Sequence, residues 1–70
     1  MIKYVENPFG PFRYIVEGSN PDDTANAAEA FEKAIDFYLH VPGVMDIGEQ
    51  LIICRQDIQR KFNVNIKPDL

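Results

Sequence analysis

The chain has 70 residues, 46% of them apolar and 26% charged, and eleven acidic against seven basic side chains give it a formal net charge of −4 at pH 7. A chain of this length buries only about 60% of the surface that its unfolded form exposes, so we expect one domain over residues 1–70 with a single core. The negative charge repels phosphate backbones, which argues against direct nucleic-acid binding.

Two segments near the N-terminus, residues 2–6 and 12–17, are rich in β-branched and aromatic residues and are separated by turn formers. This pattern predicts a β-hairpin, and the two prolines within residues 7–11 predict a stiff loop. Because side chains alternate along a strand, Phe12, Tyr14 and Val16 share one face. That face is the better candidate for the core.

A first helix is predicted over residues 21–40. Asn20 suits the N-cap, Pro21 suits the first helical position, and the aspartates that follow complement the positive end of a helix. Pro42 and Gly43 predict its end. Apolar residues at three- and four-residue spacing predict a buried stripe of Ala27, Ala28, Phe31, Ala34, Ile35, Tyr38 and Leu39.

A second helix is predicted over residues 47–62, where Asp46 and Glu49 have the spacing of a capping box. Its predicted buried stripe consists of Ile47, Leu51, Cys54, Ile58 and Phe62. Ile52 and Ile53 fall outside this stripe and need another surface. The β-branched residues within 50–55 leave a strand as an alternative, although the longer helical period favours a helix.

The C-terminal residues 63–68 alternate between polar and apolar side chains and end at a proline, which is typical of a short edge strand. The predicted element order is therefore ββααβ. This order indicates an α+β fold in which two helices cover one face of a small antiparallel sheet.

His40 is the only histidine, and Asp36 precedes it by one helical turn. General acid or base catalysis would also require a nucleophile within reach, so we favour a solvent-facing histidine at a helix C-terminus. A small homodimeric enzyme with a site near His40 is the alternative. A metal site built from Asp36, His40, Asp46 and Glu49 lacks a recognised ligand motif, so no metal is predicted.

Cys54 is the only cysteine, so an internal disulfide is impossible and a reducing, cytoplasmic compartment is expected. We expect its thiol to be buried and unreactive, because no helix N-terminus or suitably directed cation lowers its pKa. The scattered glycines lack phosphate-binding spacing, so no cofactor is predicted. The short apolar runs predict no membrane span.

The predicted function is non-catalytic protein binding, as a small inhibitor, adaptor or regulatory subunit. The chain carries more apolar and aromatic surface than one small core can hide. The candidate partner-binding residues are Phe9, Phe12, Phe37, Ile52 and Ile53. Phe9 is the expected anchor, because an aromatic ring between two prolines offers contact area at low entropic cost, although it could instead fold back as part of the core.

The partner is expected to be a protein whose identity the sequence does not give. Small acidic proteins of this kind are common among phage and mobile-element proteins that block a host enzyme or defence complex, so this chain is expected to be one of them. A homodimer through Ile52 and Ile53 is a further hypothesis, because a core of this size supplies only about 3 to 5 kcal/mol. A nucleic-acid-directed regulator is another alternative, and it would use the basic cluster Arg55, Arg60, Lys61 and Lys67.

Overall fold

The secondary-structure elements follow the predicted order in a computed structural model that describes residues 1–43 and 45–70. They are β1 (Ile2–Val5), β2 (Arg13–Glu17), α1 (Pro21–His40), α2 (Ile47–Phe62) and β3 (Asn65–Asp69). The α+β fold class is confirmed, and so are the bounds of both helices. The alternative strand within residues 50–55 is wrong, because those residues belong to α2.

The three strands form one antiparallel sheet in the order β1-β2-β3. Val16 of the central strand lies opposite Lys3 on one side and Ile66 on the other. The buried strand residues Val5, Val16 and Ile66 all share the face on which α1 packs against β1 and β2, and α2 packs against β3 and α1. The other face carries Ile2, Tyr4 and Ile15 and is called the open sheet face below.

The start of α1 follows the predicted signals closely. The Asn20 side chain accepts hydrogen bonds from the backbone amides of Asp22 and Asp23 at 2.9 and 3.0 Å. One turn later the buried Thr24 donates its hydroxyl to the Asn20 carbonyl at 2.7 Å. A Cβ on Gly18 would collide with that hydroxyl oxygen, so this position requires glycine for close packing.

The core lies between the helix-facing side of the sheet and the two helices. Phe31 and Val16 are fully buried at its centre, where burial of large apolar side chains stabilises most. The full set of buried apolar residues is Val5, Val16, Ala27, Ala28, Phe31, Ile35, Leu51, Ile58 and Ile66. Ile47, Cys54 and Phe62 pack partly buried against this set, as their helical stripe predicts.

Two sequence-based expectations are wrong at helix ends. Leu39 is 50% exposed rather than buried, because α1 is about 30 Å long while the strands reach only about 17 Å, so the last turn extends beyond the sheet. Asp46 occupies the N-cap of α2 but has left-handed φ and ψ of 55° and 50°, and its side chain makes no capping hydrogen bond. A capping box needs an extended cap residue, so it does not form here.

The final strand begins two residues later than predicted. Asn63 takes a left-handed conformation with φ of 53° and ends α2, while the amide of Val64 donates to the Gln59 carbonyl at 3.2 Å. The chain therefore turns before it can pair with β2.

No helix within residues 1–43 and 45–70 is both long enough and apolar enough to cross a membrane.

We expect Phe31→Ala or Leu51→Ala to lower the free energy of unfolding by about 2 to 5 kcal/mol, because each removes a buried side chain from the core and leaves a cavity. Chemical denaturation followed by circular dichroism measures the change. Phe37→Ala, at an exposed position of α1, is the control and should change stability by less than about 1 kcal/mol. A loss below about 1 kcal/mol for both core variants would contradict the described packing.

Candidate protein-binding surface

The hairpin loop holds Phe9 in a defined position. The side-chain oxygen of Asn7 accepts a hydrogen bond from the Phe9 amide at 3.1 Å, and the Gly10 amide lies 3.4 Å from the Asn7 carbonyl. A Cβ at Gly10 would lie 2.8 Å from the Asn7 side-chain nitrogen, so glycine lets this turn close. Pro8 and Pro11 restrict the backbone on either side. Phe9 is 38% exposed in this arrangement.

The loop and the first half of α2 enclose a groove of about 260 Å³, called the hairpin groove below. Its apolar wall is formed by Phe9 and Phe12 from the loop side, Tyr14 from β2, and Leu51 and Ile52 from α2. Arg55 lines the same groove one turn further along α2. The groove therefore combines aromatic and aliphatic side chains with one cation.

The wall of the hairpin groove is continuous with the core. The rings of Phe12 and Tyr14 meet edge-on with their centroids 5.6 Å apart, and Tyr14 meets the buried Phe31 in the same way at 5.0 Å. Edge-to-face pairs of this kind each contribute roughly 0.5 to 1.5 kcal/mol beyond the burial of their area. The groove is thus formed in the folded chain rather than assembled on contact with a ligand.

Arg55 is the polar group of the groove. The residue is partly buried, and its Nε atom is shielded from solvent without an acceptor among the described residues. A shielded donor without an acceptor costs about 1 to 3 kcal/mol. A ligand carboxylate can reach the terminal nitrogens of this guanidinium, which are not shielded in this way, and it fits a guanidinium best because it accepts two parallel hydrogen bonds.

The structure brings together three of the five side chains that the sequence singles out. Phe9, Phe12 and Ile52 line the hairpin groove, whereas Phe37 and Ile53 lie outside its lining. Phe37 is 57% exposed on α1, and its ring contacts Tyr38. Sequence analysis assigned Arg55 to a basic cluster instead, although its spacing of three and four residues from Ile52 and Leu51 predicts the same flank of a helix.

The four basic residues of the nucleic-acid hypothesis do not form one cluster, because three of them contact other side chains. Arg60 pairs with Asp57, Lys67 lies 3.3 Å from Glu17, and Lys61 lies over the Phe62 ring. Arg60 and Lys61 are on α2, while Lys67 is on β3. Carboxylates therefore already neutralise two of the four cations.

His40 lies in the last turn of α1, where its Nδ1 donates to the Asp36 carbonyl at 2.9 Å and lies 3.2 Å from the Asp36 carboxylate. Both side chains are exposed, and neither lines the hairpin groove. Within residues 1–43 and 45–70, no three His, Cys, Asp or Glu residues are grouped closely enough to hold a metal ion.

Comparisons with protein-family models, curated proteins and solved structures gave no significant match to this chain.

Cys54 is partly buried on the core side of α2. Burial raises the pKa of its thiol, and the negative charge of Asp57 raises that pKa further. The thiolate is the reactive form of cysteine, so a raised pKa lowers its nucleophilicity at neutral pH. This position fits a structural role for the thiol.

We expect iodoacetamide to alkylate Cys54 more slowly in the folded chain than in urea, because burial raises the pKa of the thiol and limits access to it. Mass spectrometry measures the rates. The raised pKa stabilises the fold fully below the pKa of the unfolded thiol, and the stabilisation is lost as pH rises through the folded pKa. Cys54→Ala should lack this alkaline loss of stability, and equal alkylation rates would contradict the burial.

Proposed function

We propose that this chain is a non-catalytic protein-binding module that acts as a small inhibitor, adaptor or regulatory subunit, with the hairpin groove as its partner-binding surface. One observation carries the proposal: Phe9, Phe12 and Ile52, from two distant parts of the chain, converge on one groove that also contains Arg55. Exposed aromatic side chains beside an arginine are the composition of a protein-binding hot spot.

The proposed occupant is a partner segment that carries an aromatic or large aliphatic residue close to an Asp or Glu. Its apolar side chain would contact Phe9, Phe12 and Ile52, and its carboxylate would accept hydrogen bonds from Arg55. The volume of about 260 Å³ lies below the roughly 300 to 1,000 Å³ of pockets that enclose small molecules, which favours a side chain of a larger partner.

The stiffness of the loop supports this assignment. Association loses affinity when a loop must become ordered, at about 0.5 to 1.5 kcal/mol for each immobilised side chain. The Asn7 hydrogen bonds and the two flanking prolines already restrict the backbone around Phe9. An aromatic residue at such a tip is a poor choice for the turn itself, where Asn, Asp, Gly or Ser satisfy local hydrogen bonds better.

The setting that we propose is the cytoplasm of a cell in which the chain blocks or adjusts an enzyme or defence complex, as many phage proteins do. The net charge of −4 would repel acidic surfaces at long range. Recognition of an acidic residue through Arg55 would therefore depend on the apolar contact beside it, and this dependence makes the groove selective rather than generally anion-binding.

We expect Phe9→Ala to weaken partner binding at least about tenfold. Truncation of a desolvated aromatic anchor to alanine typically costs about 2 kcal/mol or more of binding free energy. The partner is first identified by capture with the tagged chain and mass spectrometry, then purified. Calorimetric titration measures its affinity for the wild type and the variant. The melting temperature should stay within a few degrees.

The matched control for this experiment is Phe37→Ala, which removes a more exposed ring from outside the groove. It should bind the purified partner like the wild type. The assignment of the groove fails if Phe37→Ala loses affinity and Phe9→Ala does not. It also fails if Phe9→Ala loses binding only in proportion to its unfolded fraction, since Phe9 would then be part of the core.

We expect Arg55→Gln to weaken the same complex about tenfold to a hundredfold, since hydrogen bonds to charged groups contribute about 1.5 to 3 kcal/mol. The variant should also weaken the dependence of affinity on salt, because the charge pair is lost. Arg60→Gln is the control, since Arg60 already pairs with Asp57. Unchanged affinity in Arg55→Gln, or an equal loss in Arg60→Gln, would argue against a carboxylate at Arg55.

A further inference from the structure

The outer edge of β1 carries free backbone hydrogen-bonding groups. Met1 and Gly18 exchange two hydrogen bonds, with the N-terminal ammonium donating at 2.6 Å and the Gly18 amide at 3.0 Å. Hydrogen-bonded and non-bonded pairs alternate along an antiparallel ladder. In the register of Ile2 with Glu17, the backbone groups of Lys3 and Val5 therefore point toward β2. Those of Ile2 and Tyr4 point outward, away from the sheet.

The opposite edge of the sheet lacks free donors. By the same alternation, Ile66 and Pro68 direct their backbone groups outward from β3. The Ile66 amide already donates to the side-chain oxygen of Gln59 at 2.8 Å, and proline has no amide proton. A covered amide and a proline are two of the devices by which proteins block strand pairing at an edge, and short strands and lysine are others. Within the described residues nothing covers the β1 amides and β1 has no proline, so Lys3 and the four-residue length are its only such features.

The open sheet face beside β1 is also apolar. Ile2 and Tyr4 are 50% and 53% exposed and lie on this face next to Ile15. The Arg13 guanidinium lies 3.8 Å from the centre of the Tyr4 ring and forms an ion pair with Asp69 at 2.7 Å. Ile2 and Tyr4 thus place half-exposed apolar side chains directly at the unpaired edge.

We propose that the β1 edge pairs with β1 of a second copy of this chain, in antiparallel orientation about a two-fold axis, so that two sheets join into one of six strands. Outward groups must face each other, which any register with a β1 residue opposite itself satisfies. The two central registers, with Lys3 opposite Lys3 of the second copy or Tyr4 opposite Tyr4 of the second copy, pair the most residues of the strand. The first register sets two cations directly across from each other, which is unfavourable. The structure therefore favours the Tyr4 register.

Charge complementarity supports a second copy as the occupant. In the Tyr4 register, Lys3 of one copy lies opposite Val5 of the other, on the helix-facing side of the sheet. Glu6, the residue that follows β1, lines a groove in which four carboxylates and one ammonium group meet, from Glu6, Glu29, Glu32, Lys33 and Asp36. Glu29 pairs with Lys33, whereas Lys3 has no ion pair within residues 1–43 and 45–70. The two-fold axis repeats this contact.

This inference is independent of the proposed partner-binding function, because the β1 edge and the hairpin groove have no residue in common. The proposed β1–β1 dimer also differs from a dimer that forms through the exposed face of α2, around Ile52 and Ile53. A result at one surface therefore leaves the other unaffected.

Analytical ultracentrifugation of the wild type tests the dimer, which we expect at high micromolar concentration. Tyr4→Pro should raise the dimer dissociation constant at least about tenfold, because proline removes an outward amide at the centre of the register. The variant loses no backbone hydrogen bond within the chain, but it does lose the contact of the Tyr4 ring with Arg13. Amide hydrogen exchange gives a second readout. Tyr4 should be protected at high concentration and exchange rapidly on dilution, while the Val16 amide stays protected at both.

Lys3→Glu keeps the test decisive if Tyr4→Pro fails to fold. It should weaken the dimer, and combination with Glu32→Lys should restore it. Ile53→Lys, on the exposed side of α2, is the control and should leave the dimer intact. A monomeric wild type at high micromolar concentration would overturn the proposal. A dimer that Ile53→Lys dissociates and that Lys3→Glu leaves intact would overturn it as well.

Discussion

The packing of α1 against β1 and β2 is the constraint on which the other features depend. Phe31 of α1 and Val16 of β2 are both fully buried in this layer, and α2 completes the cover by packing beside α1 on the same face. Seventy residues supply enough helix to cover one face of three strands, so the second face and the sheet edges remain open. The surfaces available for binding are therefore set by what this single helical layer leaves uncovered.

The same packing fixes the hairpin groove. The Tyr14 ring packs edge-on against Phe31, and the Phe12 ring packs edge-on against Tyr14. Phe12 is the residue before β2, so these contacts fix the end of the loop that carries Phe9. On the other side of the groove, Leu51 is buried in the core. A groove whose two walls are both anchored in the core keeps its shape without a ligand, so little conformational entropy is lost when a partner binds.

Local signals explain which parts of this structure the sequence predicts. The bounds of α1 follow from Asn20, Pro21 and the Pro42 stop, all of which act within one helical turn. The prediction that Leu39 is buried is wrong because its burial depends on how far the sheet extends beneath the helix. The choice of Phe9, Phe12 and Ile52 follows from their excess apolar surface, but their convergence and the shielding of Arg55 depend on how α2 packs against the hairpin, which periodicity along one helix does not describe.

The two proposed surfaces are compatible in one assembly, and their geometry determines its valency. The hairpin loop follows directly from the C-terminal end of β1. In an antiparallel pair of β1 strands centred on Tyr4, the two loops therefore point in opposite directions, each roughly 10 to 17 Å from the axis at about 3.3 Å per residue. The two hairpin grooves would then lie roughly 20 to 35 Å apart, so a partner segment shorter than this separation would contact only one of them. Affinity would then come from one groove alone, because avidity requires simultaneous engagement of both sites.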